Sequence, residues 1–558
     1  MPFGAMEGLR RLVRRQLAAP SPPDAGEGPP PVDHLRVEAE GECLPSRIYR
    51  RLDDNEKWLR MALGDPADLV VRRCEVRKGR GETQEALVCY LQAMADPGAV
   101  SDVIIRAVTY EAGVLGTPDR AFPGRPVLVH AGELRRVGEW REVLYGLLSG
   151  DTVLFLEGEE RALLCGTRGF ETRKLEEPTL ESTMKGPREG FVESISVNAT
   201  LLRRWVKTPR LRLRRLILGD LANLAVEVAY IEGVAGRELV SELLSRLERI
   251  KIEDPMGSNA VSEFISDAPA SPLPLVLATE RPDRAAAALV QGRAIVLVDN
   301  TPFALIVPCD LGSLLTSSED YYVNPYFAFL NRTLRLLGLA ITVLAPGAYV
   351  ALTTYHAEML PTAFFLRLQA AREGVPLPSL AEAVIMGATF ELLREAGLRM
   401  PRQVGQAVSV VGALVIGDAA VRAALISPIM LVVLGITAIT SFAIPGYVAL
   451  LALWFPRLLF TLAAGSLGIF GLAAALMVAL YYVLSLRSFG VPFAFPYIPT
   501  TLADFKDVIL RVPWWAMVRR PSQLGRGEPM RMPYPQPPGP PPPPGRPAKG
   551  KRRGGGER

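Results

Sequence analysis

The chain has 558 residues, of which 49% are hydrophobic and 22% charged, and its formal net charge is +5. This small charge, without interleaved basic and aromatic residues, excludes a general nucleic-acid-binding surface, so no nucleic-acid partner is predicted. The three histidines have no acidic or thiol partner at the spacing of metal ligands, so the sequence predicts no metal site and no cofactor.

Residues 1–32 are predicted to be a basic N-terminal segment followed by a proline-rich linker. The first residues form an amphipathic stretch that lacks the continuous apolar core of a secretory signal. The linker has too few apolar side chains to form a folded core, so we expect no regular structure there.

A first soluble subdomain is predicted at 33–166. It opens with a polar helix at 45–63, and further helices are expected at 102–112 and 132–148. Apolar and β-branched content predicts strands at 69–76, 86–94, 125–129 and 151–164.

A second soluble subdomain is predicted at 167–330. Helices are expected at 190–208 and 237–250, a strand at 223–231, and a hairpin that joins 294–299 to 303–308. The mixture of helices and strands in both subdomains predicts a soluble α/β (α+β) head. No glycine-rich phosphate-binding motif follows these strands, which argues against nucleotide binding.

The richest local cluster in the head directly precedes the helix at 190–208. It consists of Lys185, Gly186, Pro187, Arg188 and Glu189. The Gly-Pro pair breaks the chain, and no nucleophile–base pair accompanies the charges. We therefore expect a joint between subdomains or subunits rather than a catalytic loop, and the chain is not predicted to be an enzyme.

Residues 331–490 are predicted to form an all-α polytopic transmembrane domain, because several apolar runs reach the roughly 20 residues that cross a bilayer. Four spans are expected at about 334–355, 404–424, 428–448 and 458–486. The stretch at 361–397 is amphipathic and charged, which favours an interfacial or re-entrant position. Positive residues flank both ends of the domain, so the positive-inside rule places the head and tail in the cytoplasm, with membrane lipid as a partner.

Residues 491–534 are expected to be a cytoplasmic C-terminal segment, and 535–558 a disordered tail rich in proline and basic residues. The tail either keeps the chain soluble or contacts anionic lipid headgroups, and the sequence leaves both interpretations open.

Polar residues inside the predicted transmembrane domain mark candidate functional positions, since charges are costly in a membrane. Glu382, Glu391 and Asp418 are such charged positions. Gln406 and Ser409 belong to a stripe of small and polar residues in the second span. These five residues are the candidates for lining a pore or ion path.

Each of these features also has a structural alternative. Asp418 and Arg422 are one helical turn apart and can neutralise each other near the membrane surface. The stripe of small residues can serve close helix packing. Pro445 and Gly446 are hinge candidates, with a simple proline kink as the alternative.

Short motifs follow one another in a fixed order along the chain. In the head they include residues 64–73, the Gly-Pro-Arg-Glu-Gly-Phe run at 186–191, 201–204, 230–234, 292–302 and 319–322. In the predicted membrane part they include residues 372–376, 391–397, 411–417 and 488–492, so the set extends over about 52–521. The ordered set resembles the A subunits of the GerA-type spore germinant receptors and their paralogue in the SpoVA cluster.

The resemblance implies a germinant-receptor membrane subunit in the spore inner membrane, which couples nutrient sensing to ion release. It implies a homo-oligomeric cation channel and two partners, a permease-like B subunit and a lipoprotein C subunit. An accessory SpoVAF-type channel is the alternative within the family; a secondary transporter and a structural membrane scaffold are alternatives of a different class. Asp418 stands where we expect an uncharged polar residue in this family, and its charge would favour cations.

Overall fold

The computed structural model describes residues 47–78, 82–92, 94–105, 134–169, 177–178, 181, 183–399, 417–498, 504–533 and 538. These residues belong to one compact unit that extends from Ser46 onward, and residues 1–45 lie outside the described residues. The predicted segment at 1–32, the predicted strand at 125–129, most of the predicted span at 404–424 and nearly all of the predicted tail also lie outside them.

The first sheet unit comprises the described residues between 47 and 169. Its helices are α1 (Leu52–Leu63) and α2 (Trp140–Leu147), and its strands are β1 (Leu69–Lys78), β2 (Glu82–Leu91), β3 (Leu134–Val137), β4 (Thr152–Leu156) and β5 (Ala162–Cys165). The strands form one antiparallel sheet in the order β1-β2-β4-β5-β3.

Aromatic packing holds α1 and α2 against this sheet. The Trp140 ring on α2 lies 4.0 Å from the Trp58 ring on α1 and 5.6 Å from the Phe155 ring on β4, measured between centroids. Every residue of β4 is buried, as expected for a central strand. α1 ends at Gly64, whose positive φ of 74° forms a left-handed C-terminal cap.

The second sheet unit comprises residues 183–322. Its helices are α3 (Ile195–Trp205), α4 (Arg237–Glu248), α5 (Gly257–Ile265), α6 (Pro282–Gln291) and α7 (Leu311–Leu315), and its strands are β6 (Leu211–Leu218), β7 (Leu224–Ile231), β8 (Leu277–Thr279), β9 (Ala294–Val298) and β10 (Ala304–Val307). The sheet is antiparallel, in the order β6-β7-β9-β10-β8, so it repeats the strand order of the first sheet.

The first helix of each unit is fixed by the same asparagine contact. Asn55 is the fourth residue of α1, and its side chain accepts a hydrogen bond from the Tyr49 N–H (3.0 Å) and donates to the Tyr49 carbonyl (2.8 Å). Asn198 is the fourth residue of α3 and bonds both backbone groups of Val192 in the same way (2.9 and 2.6 Å). Both asparagines are only 1% exposed.

Both sheet units also have an acidic residue directly after a central strand. The Glu157 carboxylate, just after β4, accepts a hydrogen bond from the backbone N–H of Leu52 at the start of α1 (2.8 Å). The Asp299 carboxylate, just after β9, accepts one from the N–H of Ile195 at the start of α3 (3.1 Å). Because strand order, asparagine and acid all correspond, we infer that the two sheet units are two copies of one structural motif.

We expect Asn55→Ala and Asn198→Ala each to reduce the free energy of unfolding by about 1–3 kcal/mol, because each removes a buried amide that bonds both backbone groups of one residue. Chemical unfolding of the purified chain measures the loss. Asn259→Ala on the exposed face of α5, where the asparagine side chain donates to Glu263 (3.3 Å), is the matched control. Equal effects at all three positions would contradict a repeated structural role.

The helical region follows at residues 325–485. Its helices are α8 (Pro325–Thr354), α9 (Thr362–Arg372), α10 (Ser379–Arg399), α11 (Pro428–Ser441), α12 (Tyr447–Ala452) and α13 (Trp454–Ser485). Two stretches, Pro325–Thr354 and Val448–Ser485, are long and apolar enough to cross a membrane by length and composition, and Pro428–Ser441 is apolar but shorter.

α13 is divided at Gly468, which has non-helical dihedral angles (φ 64°, ψ −143°). The Tyr355 hydroxyl, just after α8, donates to the carbonyls of Gly465 and Ser466 (3.0 Å each) and so holds the bend at the end of α8. Residues on both sides of the bend lie beside α8. The expected single span at 458–486 therefore differs from the observed geometry, because Gly468 admits a positive φ inside an apolar run.

The C-terminal segment comprises the described residues between 486 and 533, and it returns to the second sheet unit. Its short strands β11 (Arg487–Ser488) and β12 (Val491–Pro492) pair with each other. The Ser488 hydroxyl accepts a hydrogen bond from the Cys309 N–H (3.0 Å) and donates to the Leu275 carbonyl (2.8 Å). Leu486 and Phe493 are buried in the core of the second sheet unit, so the end of α13 is anchored there.

Candidate functional site

Glu382 lies on α10 and is fully buried. Its carboxylate accepts hydrogen bonds from the Ser427 N–H (3.2 Å) and hydroxyl (3.0 Å), and it pairs with Arg372 at the end of α9 (3.2 Å). Ser427 caps α11, because its Oγ accepts a bond from the Met430 N–H (3.3 Å). One carboxylate thus joins α9, α10 and α11, and a guanidinium matches its charge.

Glu391 lies further along α10 and faces α13. Its carboxylate pairs with Arg457 of α13 at 2.5 Å, and it also pairs with Arg394 on its own helix. The three side chains are mostly buried. The ion pair therefore fixes α10 against α13, and the Glu391 charge is compensated within the chain.

Asp418 lies in a short helical stretch at 417–422. Its carboxylate pairs with Arg422 at 2.8 Å, and the two side chains are 54% and 79% exposed. The pair therefore forms as the spacing suggests, yet the carboxylate stays at the surface of the chain. Gln406 and Ser409 lie outside the described residues.

Pro445 and Gly446 lie in the connection between α11 and α12, because α11 ends at Ser441. Gly446 has a positive φ of 90°, a conformation that side-chain-bearing residues rarely adopt. Both residues line a small recess together with Pro274 and Leu314 of the second sheet unit. The hinge candidates are therefore in a loop that contacts the head.

The run at 185–189 packs onto the second sheet unit just before α3. Arg281 donates to the Pro187 carbonyl (3.0 Å), and Glu189 pairs with Arg204 (3.2 Å). Lys185, Gly186 and Arg188 are exposed. Arg188 also pairs with Glu177 (4.0 Å), which precedes the second sheet unit. The predicted role of the run as a joint stays a prediction.

The contact between the two sheet units centres on Asp68 and Arg203. The Arg203 guanidinium donates to both carboxylate oxygens of Asp68 (2.5 and 2.8 Å), and Arg203 is only 1% exposed. Arg212 of β6 also donates to the carbonyl of Ala62 at the end of α1 (3.2 Å). A bidentate, charge-assisted hydrogen bond between two buried side chains fixes the relative orientation of the two sheet units.

The junction between the head and the helical region centres on Asp320. Asp320 is fully buried, and its carboxylate pairs with Arg332 (3.3 Å) and Arg335 (2.6 Å) in the first turns of α8. Arg332 also pairs with Asp507 of the C-terminal segment (3.0 Å). The beginning of α8 is thus fixed to the head and to the C-terminal segment by one buried charge network.

Burial raises the pKa of two groups in the second sheet unit. It raises the pKa of Tyr321, and the Asp507 carboxylate that accepts the Tyr321 hydroxyl hydrogen bond (2.9 Å) raises it further. Burial also raises the pKa of the Cys309 thiol to about 12. In the part of the chain that the structure describes, no group of three or more His, Cys, Asp or Glu could hold a metal ion.

A family model described as Bacillus/Clostridium GerA spore germination protein matches residues 57–523. The chain belongs to the GerA family. Spore germination protein KA of Bacillus subtilis is 34% identical over 500 residues, which cover 88% of this chain and 90% of that protein. Spore germination protein GerLA of Bacillus cereus is 34% identical over 473 residues, which cover 84% of this chain and 94% of that protein.

A further relative of this GerA-family chain is a membrane protein, and one solved crystal structure also aligns with part of the chain. The uncharacterized membrane protein YfkQ of Bacillus subtilis is 39% identical over 386 residues, which cover 69% of this chain and 75% of that protein. The crystal structure of the N-terminal domain of the A subunit of the Bacillus megaterium spore germinant receptor GerK3 aligns with 48% of this chain and 98% of that chain, at 26% identity and a TM-score of 0.36.

The sequence of this GerA-family chain does not single out the partners at its junctions. Asp320 and Arg203 occur in motifs that carry the family resemblance, but spacing along the chain does not bring them to Arg332 or Asp68. From the sequence alone, Arg332 and Arg335 are interpreted only as basic residues that flank the first predicted span. The detectable signal was a pair of arginines one turn apart at the start of an apolar helix, preceded by an acid.

Proposed function

We propose that this GerA-family chain is a membrane subunit of a spore germinant receptor, which couples nutrient sensing to ion release across the spore inner membrane. The observation that carries the proposal is that the second sheet unit holds both ends of the helical region. Asp320 binds the first turns of α8, and Leu486 after α13 is buried in the core of the unit. A change in the head is therefore transmitted directly to two apolar helices.

This attachment supports an even number of membrane crossings. α8 leaves the second sheet unit, and α13 returns to it, so both ends of the helical region lie on one side of the membrane. Among the described residues, the proposed crossings are α8, α11, the stretch from α12 to Gly468, and the remainder of α13. The expected span at 404–424, which contains Gln406 and Ser409, lies mostly outside the described residues and stays a further proposed membrane segment. The positive-inside rule then places the head and the C-terminal segment in the cytoplasm.

The proposed ion path is formed by several copies of the chain, with Asp418, Gln406 and Ser409 along it. Asp418 suits this role because its carboxylate is at the surface of the chain and can face a neighbouring copy or water. Glu382 and Glu391 are paired with arginines within the chain. We propose that they support the path by holding α10, which leads into the stretch that contains Gln406 and Ser409.

We expect Asp418→Asn to reduce cation flux by about tenfold, because it removes one negative charge per copy from a narrow path that concentrates cations. The free energy of unfolding of this variant should be unchanged, since the ion pair with Arg422 is exposed. Cation flux through vesicles that contain the purified chain, and nutrient-triggered release from spores, measure the effect. Glu358→Gln, at an exposed site after α8, is the control. Equal cation flux in both variants would show that Asp418 does not lie along the ion path.

The proposed partners are a permease-like B subunit, which senses the nutrient, and a lipoprotein C subunit. Purification of the chain from spore membranes tests this assignment. Co-purification with both partners supports the receptor subunit, and a homo-oligomer without them supports the accessory SpoVAF-type channel. A chain that gives no flux in vesicles, with or without partners, would act as a scaffold instead.

A further inference from the structure

Residues 504–517 of the C-terminal segment pack along the first turns of α8. The Arg332 guanidinium of α8 donates to the carbonyls of Asp507 (2.9 Å) and Val508 (3.1 Å). Arg511 donates to the carbonyl of Val323, just before α8 (2.6 Å). These bonds fix the height of the segment along the helix.

The exposed apolar face of α8 gives the level at which this helix would enter a bilayer. Phe327, Leu330, Leu334 and Leu337 are all exposed and recur at helical spacing, so they form one face that starts near the beginning of the helix. Arg332 lies five residues beyond Phe327, which is about 7.5 Å further along the axis. Because the Arg332 guanidinium bonds Asp507 and Val508, these residues lie beside the first exposed apolar turns of α8.

The segment itself is amphipathic. Val508 and Met517 are buried against the protein, whereas Leu510, Trp514 and Trp515 are exposed, the two tryptophans at 52% and 39%. Tryptophan favours the boundary between headgroups and acyl chains, where its ring is in contact with apolar groups and its N–H with polar ones.

Two further features of the segment fit the boundary between lipid headgroups and acyl chains. The Trp514 ring packs 5.7 Å from the Tyr321 ring, which holds it beside the start of α8. Lys506 and Arg519 flank the tryptophans and are exposed, which suits the phosphate groups of anionic lipids.

We propose that residues 504–517 form a membrane-binding surface that lies in the plane of the bilayer interface, with Leu510, Trp514 and Trp515 inserted between lipid headgroups. The surface sets the depth of α8 and shields the Asp320 network from the side of the membrane. This inference rests on the proposed function only in requiring that α8 enters a bilayer, and its partner is the phospholipid surface itself.

Tryptophan quenching by brominated lipids tests the proposal with the full chain in vesicles of phosphatidylcholine and phosphatidylglycerol. Lipids brominated near the headgroup should quench the wild type, and quenching should fall roughly twofold in the variant that combines Trp514→Phe and Trp515→Phe. Trp205→Phe, at an exposed position on the head helix α3, is the matched control and should leave quenching unchanged.

Trp454 distinguishes membrane insertion from the interfacial surface, because it begins α13 within the helical region. If Trp454→Phe reduces quenching by lipids brominated near the chain ends but the double variant changes nothing, the interfacial surface is refuted while membrane insertion stands. If no variant changes quenching by either lipid, both the insertion and the surface are refuted. As a second measurement, iodide in the water should quench Trp514 and Trp515 less in vesicles than in detergent, and equal quenching would overturn the proposal.

Discussion

Asp320→Asn is expected to lower the free energy of unfolding by about 3–5 kcal/mol, because it leaves buried guanidinium groups without their carboxylate. Asp320 is fully buried and pairs with both Arg332 and Arg335. In the variant, Arg332 would keep its ion pair with Asp507, which is partly exposed, and Arg335 would lose its ion pair with Asp320. Chemical and thermal unfolding of the purified chain measure the loss.

The same substitution should also uncouple the head from α8. If the head transmits a signal through this junction, nutrient-triggered ion release should be lost in spores even where the chain still assembles in the membrane. Asp53→Asn is the control, since Asp53 pairs with Arg73 at an exposed position on the first sheet unit (2.7 Å). An Asp320→Asn chain that unfolds and releases ions like the Asp53 variant would show that the junction carries neither stability nor signal.

Much of the second sheet unit follows from local patterns in the sequence. The predicted strand at 223–231 and the predicted helix at 237–250 agree with β7 and α4 within two residues at each end. The hairpin prediction also agrees with β9 and β10, because Asn300 in the turn adopts a positive φ of 61° that asparagine tolerates. In each case the alternation of apolar residues and the turn chemistry point to the same element.

Other elements depend on tertiary pairing that local patterns do not contain. β6 was not predicted, because several of its residues are arginines, which interrupt the apolar pattern of a strand. Its pairing with β7 is a tertiary contact that this local pattern does not reveal. The predicted helix at 132–148 is wrong in its first half, where β3 pairs with β5 and Gly138 separates it from α2. The repeat of the two sheet units was also missed, since it is carried by strand order and by few shared residues such as Asn55 and Asn198.

In the candidate site, too, some features follow from local sequence patterns and others depend on tertiary packing. Charged residues in apolar surroundings could be picked out from the sequence, and Glu382 and Glu391 do lie in polar clusters. Their partners Arg372 and Arg457 come from different helices, and the packing of those helices decides which charges meet. A buried acid in a predicted span therefore indicates that a partner exists, but it does not distinguish a carboxylate that faces water from one that holds two helices together.

Asp68→Asn is expected to destabilise the chain by about 3–5 kcal/mol, since it leaves the Arg203 charge buried without a carboxylate. Arg203→Met should cost less, because Asp68 is the more exposed partner. The double variant should cost less than the sum of the two, since the residues act on one another directly. Chemical unfolding measures all three, and protease cleavage between residues 166 and 190 reports whether the sheet units separate.

The repeat supplies the matched control for this pair. Arg60 is the ninth residue of α1, as Arg203 is of α3, but it pairs with Glu56 (3.2 Å) and Asp65 (2.7 Å) near the surface of its own unit. Arg60→Met should therefore cost less than about 1 kcal/mol. The same residue at the same helical position thus has two different roles, because only Arg203 is covered by the other sheet unit. Equal losses for Arg60→Met and Arg203→Met would mean that the contact between the units contributes no more than a surface ion pair.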